Sequence, residues 1–242
     1  MKTLIAAAAA FVLVAAAATV FLLNRHTDSG PDVFAGAYPL VTADPTGVPA
    51  LSWRPTGTPA GPLPTFRGSG SPVTGTITDR QSGISYALLG SPWKRLTSRL
   101  SSAHTSGEEV DSRRKDSKHF WYAAVYVGPL DPKLAVAGSQ RLRAAAELTG
   151  KEFVDELYSD DGRRQELAGA AMTVDHRAAW VSAFRMTHTA AGDRVEKGQT
   201  EVVVAVDTGR RMPAIVEITI PSNQPNLLPD INHVVRSLHV VR

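Results

Sequence analysis

From Leu4 to Leu23 the chain carries no charge and no strongly polar group, with Lys2 ahead of the run and Arg25 and His26 behind it. A bilayer core of about 30 Å takes about 20 such residues in a helix rising 1.5 Å each, and a helix satisfies its own backbone there. Alanine dominates the run, while Phe11, Val12, Leu13, Val14, Val20, Phe21, Leu22 and Leu23 supply most of the transfer energy. A core helix would show a polar face instead. A cleaved signal peptide ending near Ala15-Ala16-Ala17 is the alternative, but cutting there leaves Thr19-Val20-Phe21-Leu22-Leu23 bare on the product. An uncleaved single-pass anchor over 1–24, bounded by Leu4 and Leu23, is the favoured reading. The flanking cations are nearly tied, so the positive-inside rule does not orient it.

Residues 25–76 keep no period of 2 or 3.6. Proline recurs from Pro31 to Pro72, and Gly, Ser and Thr fill the gaps. Proline removes amide donors and biases the residue before it to extended geometry, so the stretch reads as a semi-extended, disordered spacer. Trp53 and Phe66 are isolated aromatics within it, either incidentally exposed or part of a short docking motif. A spacer between membrane and domain suits display outside the cytoplasm, which places the N-terminus inside.

From 77 to 242 the patterning becomes globular. Residues 77–79 and 84–88 read as strands around a turn at 80–83, and 119–127 as a central strand covered on both sides. Residues 140–158 read as helix, with a second helix starting at the capping-box sequence Thr149-Gly150-Lys151-Glu152 and stopping at Ser159-Asp160-Asp161-Gly162. A hairpin turns at Asp175-His176, placing Trp180, Phe184 and Met186 on one face. A second joins 201–207 to 214–220; Val202, Val204 and Val206 share a face, as do Val216, Ile218 and Ile220, with Glu217 and Thr219 opposite. After Pro221, Leu227, Leu228, Ile231, Val234, Val235 and Leu238 mark a last amphipathic helix. The class is α+β, an antiparallel sheet with helices packed on it.

Composition changes this picture little. The apolar share of 43% and charged share of 20% are near globular averages. The net charge of +3 and pI of about 9.3 lean towards anionic surroundings without the concentrated basic stripe of a nucleic-acid binder. The absence of cysteine excludes disulfides, thiolate zinc sites and a cysteine nucleophile.

No catalytic set stands out. There is no Gly-x-Ser-x-Gly elbow, no His-Glu-x-x-His, and no helical histidine pair. Asp175 beside His176 serves turn geometry, although an envelope hydrolase assembled in space from such residues is the alternative. Catalytic, cofactor and metal residues are therefore expected to be none. Residues 94–118 read as a long solvated loop, where Arg113, Arg114, Lys115 and Lys118 are candidate contacts for an anionic partner; Arg210-Arg211 at a hairpin tip form a second cationic spot. The expected partners are the membrane and another envelope protein or an acidic wall polymer, not nucleic acid.

Four stretches carry a resemblance: Asp79-Arg80-Gln81-Ser82-Gly83-Ile84-Ser85-Tyr86 with Pro92-Trp93; His119-Phe120-Trp121-Tyr122; Val174-Asp175-His176-Arg177-Ala178-Ala179-Trp180; and Val234-Val235-Arg236-Ser237-Leu238. On these, residues 77–242 resemble the PsbP-like sandwich domains, whose members include membrane-anchored actinobacterial proteins; relatives often have Gly where His176 stands. The resemblance implies an antiparallel sheet between helical layers, an α/β/α sandwich, and a mostly non-catalytic binding or accessory role. The family shares no active site, so no residue role carries across.

Overall fold

The computed structural model describes residues 53–54, 59–97, 103–111, 122–157, 162–188 and 197–241. In chain order these form β1 (Val73–Asp79), β2 (Ile84–Leu89), β3 (Lys94–Arg95), β4 (Ser106–Asp111), β5 (Tyr122–Pro129), α1 (Arg141–Leu157), β6 (Gly162–Val174), β7 (Arg177–His188), β8 (Gly198–Val206), β9 (Ala214–Pro221), α2 (Asp230–Arg236) and β10 (His239–Val240). Short 3-10 turns at Pro132–Leu134 and Pro225–Leu227 precede the two helices. The class is α+β with antiparallel pairing throughout, but there are two sheets: β1-β2-β10, and β3-β4-β5-β9-β8-β7-β6.

Strands β8 and β9 explain the layering. Both are buried along their whole length, so each must face a partner layer on both sides. Val202, Val204, Val206, Val216 and Ile218 face one core, shared with Ile77, Ile84, Tyr86 and Leu89 of the small sheet and with Ile231 and Val234 of α2. The alternate residues Val203, Ala205 and Ile215 face a second core, built with Ala145 and Ala146 of α1. Period two thus divides one pair of strands between two hydrophobic layers, and burial of this apolar area is the main stabilising term.

Several elements differ from what the sequence predicts. The stretch 94–118 is not one solvated loop: it holds β3 and β4, and β4 buries Val110, Glu108 and Glu109. Residues 149–152 lie inside α1, which is one helix and not two. Gly150 is kept there because a Cβ would come within 2.8 Å of the Phe184 ring. Strand β6 begins at Gly162, where only a helix stop was expected, and pairs with β7 up to Val174↔Arg177. Asp175 and His176, at φ 48° and 62°, close that hairpin as a two-residue turn with both residues left-handed. The last helix is short, and β10 follows it.

The folded body also begins earlier than 77. Leu63 and Phe66 pack on the core. Gly61 O accepts from Gly169 N at 2.9 Å, so this segment covers part of the otherwise unpaired edge of β6. Asn232 exchanges two hydrogen bonds with the Phe66 backbone, at 3.1 and 2.8 Å. Ser69 O lies 2.8 Å from His233 Nε2. Ser71 donates through its backbone N–H and its hydroxyl to the Asp230 carboxylate, at 2.5 and 2.8 Å. Gly70, at φ 64°, brings the backbone so close to Asp230 that a Cβ would overlap it. Trp53 docks as well: the Arg143 guanidinium lies 5.8 Å from its ring and 5.2 Å from that of Trp180. Both isolated aromatics of the spacer therefore contact this chain's own fold. No helix among the described residues is long and apolar enough to cross a membrane; the run bounded by Leu4 and Leu23 lies outside them.

Candidate functional site

Of the residues singled out in the sequence, Arg113, Arg114, Lys115 and Lys118 lie outside the described residues. Arg210 and Arg211 are exposed between β8 and β9. The Arg210 side chain lies across the β1–β2 turn, over Gly83, while Thr208 donates to Ser82 O at 2.9 Å. Asp175 is bonded by Val240 N–H at 2.8 Å and lies 3.1 Å from His239 Nδ1. The Val240 amide and His239, against a smaller cost of burial, hold its carboxyl below the usual range. Its bonds staple the turn to β10.

The β1–β2 turn and the β3–β4 ribbon border a half-open cleft of about 560 Å³. Its lining is Thr78, Asp79, Arg80, Gln81, Arg95, Leu96, Thr97, Thr105 and Ser106. Asp79 sits at the base, 3% exposed. One of its oxygens accepts from Ser82 N at 2.8 Å and Ser82 Oγ at 2.9 Å, and the other takes the Thr105 hydroxyl. Both oxygens are thus engaged, and the turn is locked to the residue that leads into β4. Arg80, Lys94 and Arg95 are exposed, and among the described residues none forms an ion pair with a carboxylate.

Behind Arg95, across the strand pair, is Glu108, fully buried. Leu89 N donates to its Oε1 at 3.0 Å, and Oε2 has no hydrogen-bond partner. Burial pushes its carboxyl up to about 7, against the Leu89 amide and the Arg95 charge, with Asp230 adding repulsion. Asp230 in turn accepts from Trp93 Nε1 at 2.7 Å as well as from Ser71.

A second polar constellation crosses β4, β5, β9 and β8 on the α1 side. Tyr126 Oη donates to Glu109 at 2.5 Å. The Tyr126 ring stacks on His104, with centroids 5.0 Å apart. His104 Nε2 lies 3.1 Å from Glu217, and Thr219 donates to Glu201 at 2.5 Å. Glu201 is fully buried, and its Oε1 has no partner. Burial first, and the neighbouring Glu217 charge second, hold its carboxyl well above the usual range despite the Thr219 hydroxyl. A neutral acid is the form this setting favours. The His104 side chain, 31% exposed, and the half-buried Tyr126 reach solvent, while Glu217 is 5% exposed. No group of three or more His, Asp or Glu among the described residues is placed to hold a metal ion.

Neither constellation was named from the sequence. The signal for the second was present: Glu201 and Glu217 each sit in a β-branched run, where a charge is costly unless partnered. The signal for the cleft was absent, because Arg80, Arg95 and Thr105 meet only through folding.

No family model matches the chain, and no curated protein matches it in sequence. Among solved structures it is similar to cyanobacterial PsbP (CyanoP) from Synechocystis sp. PCC 6803, with a TM-score of 0.43 and 16% identity over 74% of this chain and 99% of that one. It is also similar to the Ran-binding protein Mog1p of Saccharomyces cerevisiae, with a TM-score of 0.46 and 12% identity over 71% and 97% of the two chains. A point variant of protein Mog1 gives a TM-score of 0.46 at 10% identity, over 69% and 95%.

Proposed function

We propose that this protein is a membrane-anchored, extracytoplasmic binding or accessory module of the cell envelope, and not an enzyme. The run from Leu4 to Leu23 is its single-pass anchor, and the body from Trp53 onward faces away from the cytoplasm. The observation that carries the reading is the uncharged apolar run from Leu4 to Leu23, long enough to span a bilayer. Residues 61–71 are bonded to Gly169, Asp230, Asn232 and His233. These bonds fix the point at which the leader leaves the body. The lining of the intersheet cleft supports a binding role, since guanidinium, hydroxyl and carboxamide groups recognise polar partners. Membership of the PsbP-like sandwich group belongs to the same proposal and rests on the motifs quoted above. Two of them form the β1–β2 turn and the β6–β7 hairpin of the described fold.

The test is protease added to intact cells, followed by alkaline extraction of membranes. The expected result is that external protease cuts within 25–58, that the body resists, and that uncut chain stays with the membrane after extraction. Full-length chain recovered from the cytosol, or complete protection in intact cells, would refute the topology.

A further inference from the structure

We infer that the cleft between the β1–β2 turn and the β3–β4 ribbon binds a phosphate-bearing polyol or sugar chain, with Arg80 and Arg95 gripping the oxyanion. This names a partner for the module proposed above and rests on that reading for its setting.

Cations outnumber carboxylates in the described lining of the cleft, Arg80 and Arg95 against Asp79. Arg80 and Arg95 are exposed and form no ion pair among the described residues, and Arg210 lies against the same turn. The carboxylate in the wall, Asp79, already has both oxygens engaged by Ser82 and Thr105. It therefore braces the site, and its charge offsets only part of that of the two guanidiniums. Glu108, behind Arg95, is a weak acid in this setting and offsets the guanidinium charge only in part near neutral pH. A guanidinium presents a planar fork of donors that fits two oxygens of a phosphate, so two of them around one cleft select an oxyanion over a neutral sugar.

The walls specify what carries the phosphate. Among the described residues the lining is about evenly polar and apolar: Gln81, Thr97, Thr105 and Ser106 bring carboxamide and hydroxyl groups, Thr105 and Ser106 already bonded to Asp79 and Tyr86, and Leu96 brings an apolar side chain. A peptide partner would call for apolar pockets at alternate positions; a polyol or sugar, with both hydroxyl and C–H faces, suits this mixed lining. The volume of about 560 Å³ is that of a small-molecule site, larger than a single ion fills. The Asp79–Ser82–Thr105 bonds fix the wall before any ligand arrives, which lowers the ordering cost of binding.

The experiment uses the full chain in a neutral detergent, titrated calorimetrically with a soluble glycerol-phosphate oligomer. Polyglutamate of equal charge is the comparison, and vesicles of phosphatidylglycerol or phosphatidylcholine form a separate arm. Arg80→Gln and Arg95→Gln are each expected to weaken oligomer binding about fivefold or more, with unchanged melting temperature. Raising salt from about 50 to 300 mM is expected to weaken it further. Gln81→Ala is expected to weaken the oligomer while leaving inorganic phosphate unaffected. Binding of the soluble oligomer assigns the source to a polymer. Binding confined to phosphatidylglycerol vesicles, and lost in the double arginine variant, assigns it to a lipid headgroup of the same chemistry. The inference is overturned if the double variant binds as the parent does, if polyglutamate binds equally well, or if neither phosphate source binds. Because detergent solution requires no anchoring, failure here leaves the membrane topology standing, and a cytosolic chain would leave the binding constants untouched.

Discussion

Asp230 is 1% exposed and holds three donors at once: the Ser71 amide, the Ser71 hydroxyl and the Trp93 indole N–H. A buried carboxylate is tolerated when its lone pairs are filled in this way, and hydrogen bonds to a charged acceptor are each worth about 1.5–3 kcal/mol. Asp230→Ala leaves those donors without a partner next to the core residues Ile231 and Leu227. It is expected to cost about 3 kcal/mol or more in urea unfolding of the 53–242 fragment. A loss below about 1 kcal/mol would mean that water replaces the carboxylate. Read as sequence, Asp230 is only an acid near the start of an amphipathic stretch. Its three partners lie in a Ser-rich spacer and after a turn, separated from it by 137 and 159 positions. Pattern cannot see such a meeting, whereas Ile231 and Val234, two core residues of the same helix, were legible from their spacing alone.

At the scale of elements, the segment 59–72 behaves as an extra layer. It caps part of the β6 edge through Gly61↔Gly169 and inserts Phe66 beside α2. Edge strands left bare pair with other chains, and the outer strand here is long, running from Gly162 to Val174. A fragment starting at residue 77, where the sequence places the domain boundary, is expected to unfold at lower urea and to self-associate. One starting at 53 should remain monomeric; comparing the two by light scattering and urea midpoint checks this. Phe66→Ala within the longer fragment is expected to cost about 2 kcal/mol, less than a fully buried Phe because the ring is half-exposed. The elements that sequence made legible, β2, β7, β8, β9 and α1, carry strong period-two or helical patterning. Those it missed have physical reasons. Strand β6 opens with Arg163-Arg164-Gln165-Glu166, a charged edge-strand sequence that imitates a loop. Strand β4 carries Glu108 and Glu109 inward, which inverts the usual pattern. The strap is rich in Pro and Gly because it follows a contour and forms no ladder of its own.

Taken as a whole, the molecule buries two acids that favour their protonated forms, Glu108 on one side of the large sheet and Glu201 on the other. Against them stand two acids that favour ionisation. Asp175 is held by the Val240 amide. Asp207 pays some burial, which the Gly209 amide, Arg141 and Arg177 outweigh. For a raised acid the folded state binds more protons than the unfolded state between the two pKa values. Stability therefore falls as pH rises through that window, from about 4.5 to about 7 for Glu108, and in the same direction for Glu201. For a lowered acid the contribution is complete above the unfolded value near 3.8 and is lost as pH falls below it. The two trends meet in mildly acidic solution, so the melting temperature of the 53–242 fragment is expected to peak near pH 5 and to decline by several degrees towards pH 8. Glu201→Gln keeps the shape and an acceptor for Thr219 but removes the titrating proton. It should flatten the alkaline limb, as Glu108→Gln should to a smaller extent. Glu217→Gln is expected to flatten it too, by removing the charge that Glu201 faces. A profile that rises steadily from pH 5 to pH 8 would mean that these carboxyls are ionised in the fold and that their partners lie elsewhere.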